Sequence, residues 1–235
     1  MTDPKLTYLY LMLGTILFPL VLSFDKKVHF YKRWKFLAPA IVIPAIIFII
    51  WDILFTKNGI WHFSSEYTIG FPFLHLPVEE WLFFLFVPYA CIFVYDVIKY
   101  YWPNFNYPNA AKWITAILIL ISLALIINFN DRIYTFIVSV MLVIILIPQL
   151  FNPLAKNFLF RFYAAYLVCL LPFLIVNGIL TSLPVVSYNN IENMHLRILT
   201  IPVEDLMYFM TLFLMNISIY EYLINNNRSI SLKNK

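Results

Sequence analysis

Seven long apolar runs alternate with short polar segments along the chain, and the apolar runs carry almost no polar residues on any face. A helix that is apolar all round belongs in a large core or in lipid. Windows of about 20 residues, the length that crosses ~30 Å of hydrocarbon, predict helices at 6–22, 36–56, 77–98, 111–128, 133–151, 158–181 and 203–224. The pattern therefore predicts an all-α integral membrane protein with seven transmembrane helices.

Composition supports lipid as the solvent. Hydrophobic residues make up 63% of the 235 and charged residues 12%, more apolar surface than a soluble fold of this size can hide. The first span has only Asp3 and Lys5 before it, no basic leader and no small-residue cleavage site, so it is expected to be a retained helix. Basic residues are unevenly placed. The segments joining spans 1/2, 3/4 and 5/6 and the C-terminus hold Lys26, Lys27, Lys32, Arg33, Lys35, Lys99, Lys112, Lys156, Arg161, Arg228, Lys233 and Lys235, against Lys5, Lys57, Arg132 and Arg197 opposite, a count of 12 against 4. The positive-inside tendency then places the C-terminus in the cytoplasm and the N-terminus outside. That bias accounts for the net charge of +4, which gives no reason to expect a nucleic-acid partner. Cys91 and Cys169 fall inside spans without metal-type spacing and read as buried thiols.

The chain repeats itself. An offset of 125 residues lays "LPVEEWLFF" on "IPVEDLMYF", with Pro77 on Pro202, Val78 on Val203, Glu79 on Glu204, Glu80 on Asp205 and Phe84 on Phe209. The same offset carries Asp52 onto Asn177, and Tyr95 and Asp96 onto Tyr220 and Glu221. Spans 1–3 fall on spans 5–7, leaving span 4, at 111–128, as a connector between repeats 1–98 and 126–224 of a single membrane domain. One extra crossing between two three-helix units makes both enter the membrane from the same side, a parallel repeat. Two loops of about 20 residues precede the acidic turns, long for connections between neighbouring spans; the first is aromatic and reads as a packed lid.

The plain alternative for "PVEE" and "PVED" is a helix start, with proline at the first position and acids complementing the helix dipole. Yet adjacent residues lie about 100° apart on a helix, so one acid of each pair can face a loop while the other points into the bundle. An acid among Trp51, Trp61, Phe63, Tyr67, Trp81 and Phe84 would be poorly solvated, which favours its neutral form and lets it deliver a proton. Asp52 is placed to orient or share that proton, and Glu79, whose counterpart Glu204 is identical, is the expected cavity-facing acid. Most of the 23 Phe, 16 Tyr and 6 Trp belong to interfacial belts; a few beside the acids would stabilise a cation with their ring faces.

Absences narrow the chemistry. The four glycines form no G-x-G-x-x-G or P-loop, so no flavin or nicotinamide cofactor is expected. No paired D-x-x-x-D runs hold magnesium, and no metal site is expected. Span 7 has no lysine for a retinal Schiff base. His62, His75 and His195 lie in the loops near the acids, where interfacial hydrogen bonding is the simpler role.

Two three-span units carrying Asp52 and Trp61 ahead of "LPVEEWLFF", and Asn177 and "HLRILTIPVED" in the second half, resemble the integral-membrane lycopene cyclases of some bacteria, archaea and fungi in their fused form. The resemblance implies cofactor-free acid catalysis on a lipid-soluble carotenoid, in which a carboxylic acid protonates the terminal double bond of a ψ end and proton loss completes a β-ionone ring. It implies Glu79 and Glu204 as leading acid/base residues, Glu80 and Asp205 as second, and Asp52 and Asn177 as supporting groups. Trp61, Phe63, Trp81 and Phe84 would line the substrate cavity, and Arg197 would order Asp205 or Glu204. Asn177 for Asp52 and Leu206 for Trp81 make the halves unequal, leaving open two dissimilar half-sites or one shared site. Membrane lipid and the carotenoid are the expected partners, with self-association or association with other carotenoid enzymes compatible with the family. A transporter or non-catalytic carotenoid-binding protein would also carry a repeat and intramembrane acids, and a cyclase for other carotenoids or another acid-initiated terpene cyclase would share the chemistry.

Overall fold

The computed structural model describes residues 3–233; Lys235, and the side chains of Arg228 and Lys233, lie outside what it describes. Its long helices are α1 (Thr7–Leu22), α2 (Trp34–Lys57), α3 (Val78–Tyr101), α4 (Pro108–Asn128), α5 (Ile133–Phe151), α6 (Ala155–Ser182) and α7 (Glu204–Lys233). Among the described residues seven helices are long and apolar enough to cross a membrane, and the chain is a multi-pass membrane protein. α7 continues past the expected end at 224 because no glycine or proline follows Glu204 to stop it. Internal prolines, such as Pro39 and Pro44 in α2, stay within continuous helices, as neighbouring helices in a membrane permit.

The halves interlock. The middle helix of each repeat packs on the third helix of the other, α2 on α7 and α6 on α3, while α1 packs on α3 and α5 on α7. The connector α4 packs over α5 and α6. At one end of the α3/α7 crossing the Tyr-acid pairs cross over: Tyr95 OH donates to Glu221 at 2.7 Å and Tyr220 OH to Asp96 at 2.5 Å. Arg33 adds an ion pair to Asp96 at 2.6 Å, and Lys99 another to Glu221.

At the other end the two long loops join. β1 (Trp61–Phe63) pairs antiparallel with β4 (Val186–Tyr188), setting His62 opposite Ser187, its own counterpart at the offset of 125. The pseudo-two-fold axis relating the repeats thus runs through this pair. Each loop ends in a hairpin, β2 (Pro72–Phe73) with β3 (Leu76–Pro77), and β5 (Arg197–Ile198) with β6 (Ile201–Pro202). Their two-residue turns place Leu74, His75 and Leu199 at φ of +52°, +71° and +57°, a conformation that costs non-glycine residues about 1–2 kcal/mol each. Each hairpin feeds straight into the acidic first turn of α3 or α7, so the turn fixes where the acids begin. Strands of two or three residues are too short to show alternation in sequence.

Candidate active site

The acidic turns split their two carboxylates between two jobs. Glu79 is buried, and its carboxylate accepts from the Ile69 N–H at 2.7 Å. Its counterpart Glu204 accepts from the Met194 N–H at 2.7 Å and from Thr135 Oγ1 at 2.6 Å. In both halves the bonded amide lies ten residues before the acid, within the loop that precedes the hairpin. The first acid of each motif therefore pins its own loop.

The second acid of each motif turns about 100° further round the helix and faces a cavity of about 60 Å³ between the halves, shared by Asp52, Glu80, Asn177 and Asp205. Glu80, not the expected Glu79, is thus the first-half acid lining it. The wall obeys the repeat: Asp52 and Asn177, Trp61 and Val186, Phe63 and Tyr188, Glu80 and Asp205, and Phe83 and Tyr208 are five pairs, each separated by 125 residues. One cavity on the pseudo-two-fold axis draws on both repeats.

The two sides of this cavity differ electrostatically. Asp205 accepts from Tyr134 OH at 2.6 Å, Tyr188 OH at 2.7 Å and Asn177 Nδ2 at 2.7 Å. Three donors converging on one carboxyl group are the environment of an ionised, acceptor-only carboxylate. Burial, then the charge of Asp205, push the Tyr188 phenol well above its ordinary range, so it remains a donor. Glu80 accepts a hydrogen bond from Tyr8 OH. Asp52 is 2% exposed and its Oδ2 has no partner; the Trp61 indole N–H donates to Thr56 Oγ1 at 3.0 Å. A carboxyl group with an orphaned buried oxygen beside a second acid is better accommodated neutral than charged. The first-half side thus sets a carboxyl group with one partnerless oxygen beside Glu80, and the second-half side holds its carboxyl group with three donors.

Aromatic rings enclose the acids. Tyr208 lies against Trp51 at 4.8 Å and Phe48 at 5.0 Å between centroids, and Tyr134 is stacked on Tyr188 at 6.0 Å and 12°. Trp61 and Phe63 line the cavity as expected from their place in the loop. Trp81 and Phe84 do not: Trp81 packs on Phe73 at 5.0 Å outside it, and Phe84 is wholly buried against Phe83. Arg197 bonds neither acid. Its guanidinium donates to Thr200 O at 2.6 Å and Asn190 Oδ1 at 2.7 Å and lies over the Tyr188 ring, holding the second hairpin against the wall. No histidine is among the residues lining the cavity. Among the described residues, no three His, Cys, Asp or Glu side chains gather in a way that could hold a metal ion.

Tyr8, Tyr134, Tyr188 and Tyr208 contribute to the site without having been singled out from sequence. Carrying the offset of 125 through the loops and α3 would have found Tyr188 from Phe63 and Tyr208 from Phe83. Tyr8 and Tyr134 are 126 apart, one residue out of register, and only the packing of α1 and α5 reveals them as equivalents.

Paired acids on two interlocked membrane repeats, enclosed by aromatic rings, form one candidate intramembrane site. Residues 5–98 and 131–223 match the lycopene cyclase family model, and the chain belongs to the lycopene cyclase family. It is accordingly a carotenoid cyclase. No curated protein and no solved structure matches the chain.

Proposed function

We propose that this protein is a lycopene β-cyclase, an isomerase that closes β-ionone rings on the linear ψ ends of lycopene without oxidant or reductant. The observation that carries this reading is the meeting of Asp52 and Glu80 with a three-donor Asp205 carboxyl group across one aromatic cavity. Glu80, oriented by Tyr8, delivers its proton to the terminal double bond of the ψ end. The resulting tertiary cation is attacked by the internal double bond, which forms the ring and moves the positive charge to the ring carbon that lies beside the departing proton. The Asp205 carboxylate and the faces of Tyr208, Tyr134 and Trp61 stabilise the cation. Transfer of a proton from that ring to the Glu80 carboxylate restores a double bond and regenerates the acid, so the product has the atoms of the substrate. Asp52 holds the proton in reserve beside Glu80, Asn177 orients Asp205, and Glu79 and Glu204 keep the loops closed over the site. The basic-residue asymmetry supports an outward N-terminus, with the acid cavity toward the outer leaflet.

Expression in lycopene-producing cells tests this reading. The wild-type protein is expected to turn the red pigment orange-yellow as β-carotene forms, and Glu80→Gln to leave it red. Unchanged lycopene with well-inserted wild-type protein refutes catalysis, and purified protein carrying unchanged lycopene would identify a carotenoid-binding protein instead.

A further inference from the structure

A second, larger cavity of about 420 Å³ begins where the acid cavity ends, with Phe83, Phe173 and Asn177 forming a wall common to both. Its floor is α3 and its sides are α1 and α6, with Gly14 and Phe18, Val87 and Ala90, and Pro172 and Val176 facing inward. Along α3 it runs from Phe83 to Val94, about 16 Å at 1.5 Å per residue, away from the acidic first turn and into the bilayer span. Almost all its surface is apolar; the Thr15 hydroxyl is spent on Leu11 O at 2.8 Å and the Asn177 amide on Asp205 at 2.7 Å, and Tyr10 is the other polar side chain in its lining. Gly14, at its rim, has no atom within 4 Å of where a Cβ would stand.

The opening belongs to one half. The offset of 125 carries Gly14 onto Ser139, which is 0% exposed on α5, a helix packed on both α4 and α7. The position that is open on α1 in the first repeat is therefore closed on α5 in the second.

The geometry points to this α1/α3/α6 groove as the binding channel for the linear polyene chain of the carotenoid, entered sideways from lipid, with the reacting end lodged among the acids. The inference rests on the cyclase reading above and adds the route and the half of the molecule that supplies it. A long, thin, wholly apolar molecule with one end directed at carboxyl groups is the occupant that fits a nearly apolar groove sharing a wall with an acid cavity. Substrate orientation follows: the polyene lies roughly along the lipid chains, and specificity for the length and shape of the unreacted part is set by α1, α3 and α6.

The test is Gly14→Phe in the full-length protein, in lycopene-containing membranes. A ring there meets open space, and replacing a helical glycine raises helix propensity, so insertion is expected to be unaffected. Conversion is expected to fall by about 10–100-fold, the loss that goes with misplacing a reacting group, with a smaller loss in Gly14→Ala. Ala90→Phe on the floor is expected to act alike, and Leu13→Phe, outside the groove, to convert like wild type. In an inactive Glu80→Gln background, purified protein is expected to retain lycopene, and Gly14→Phe to release it. Wild-type conversion matched by Gly14→Phe and Ala90→Phe, or equal pigment retention with and without Gly14→Phe, would show a groove filled by membrane lipid alone and overturn the channel. Failure of the wild type itself to form rings would instead refute the cyclase reading.

Discussion

Exchanging each acid of the first turn separately decides whether Glu79 or Glu80 carries the proton. Glu80→Gln keeps side-chain volume and an oxygen for Tyr8 OH to reach but removes the transferable proton. A positioned general acid is worth about 10²–10⁴-fold, or ~3–5 kcal/mol of barrier, and ring formation is expected to fall by at least that much. Glu79→Gln keeps an amide oxygen to accept the Ile69 N–H bond found at 2.7 Å. Exchanging one carbonyl acceptor for another in this bond is expected to cost about 1 kcal/mol. Transmitted wholly to the site, that is about fivefold in rate. Initial rates of cyclised carotenoid formation in isolated membranes, resolved by chromatography and divided by the amount of inserted protein, measure both. The reasoning fails if Glu79→Gln abolishes turnover at wild-type thermal stability while Glu80→Gln remains active.

On the second-half side, Tyr188→Phe removes one of three donors to Asp205 and is expected to slow turnover by about 10–100-fold, at ~1.5–3 kcal/mol for a hydrogen bond to a charged group; a rate within twofold of wild type would show that Asp205 does not act as a held carboxylate. The Tyr188 phenol, raised in the fold above its ordinary pKa near 10, binds its proton more tightly folded than unfolded. Its stabilising contribution is therefore complete below about pH 10 and lost as pH rises beyond it, so thermal unfolding in Tyr188→Phe should decline less steeply there than in wild type, and equal slopes would contradict the assignment. At the far end of the bundle, Tyr220→Phe leaves Asp96 only its Arg33 partner and should cost about 1.5–3 kcal/mol of stability, seen as a lower thermal midpoint in detergent, with turnover at low temperature retained. An unchanged midpoint would mean that the crossed Tyr-acid pairs do not hold α3 to α7.

Hydropathy alone determined the seven spans, because crossing hydrocarbon demands long apolar helices whatever the packing. The repeat was equally plain, since an offset of 125 aligns residues without reference to space, and it led to Asp52, Asn177 and both acidic turns. Choosing between adjacent acids required tertiary structure. Identity of Glu79 and Glu204 marked a shared role, but that role is to bind the Ile69 and Met194 amides in the preceding loops, contacts set by hairpins with left-handed leucines that no short pattern announces. Trp81 and Phe84 illustrate the same limit, for one helical turn separates the cavity wall at Phe83 from the bundle exterior and from the core. The tyrosines around Asp205 come from α5, 71 residues away, and from a loop strand 17 residues away, and both reach the acid only through packing. Sequence fixes which chemistry the chain can carry, since residue types and periodicity are local. Direction, partner and charge state at each carboxyl group are decided by the fold, because a rotation of 100° or a neighbour 70 residues away changes them completely.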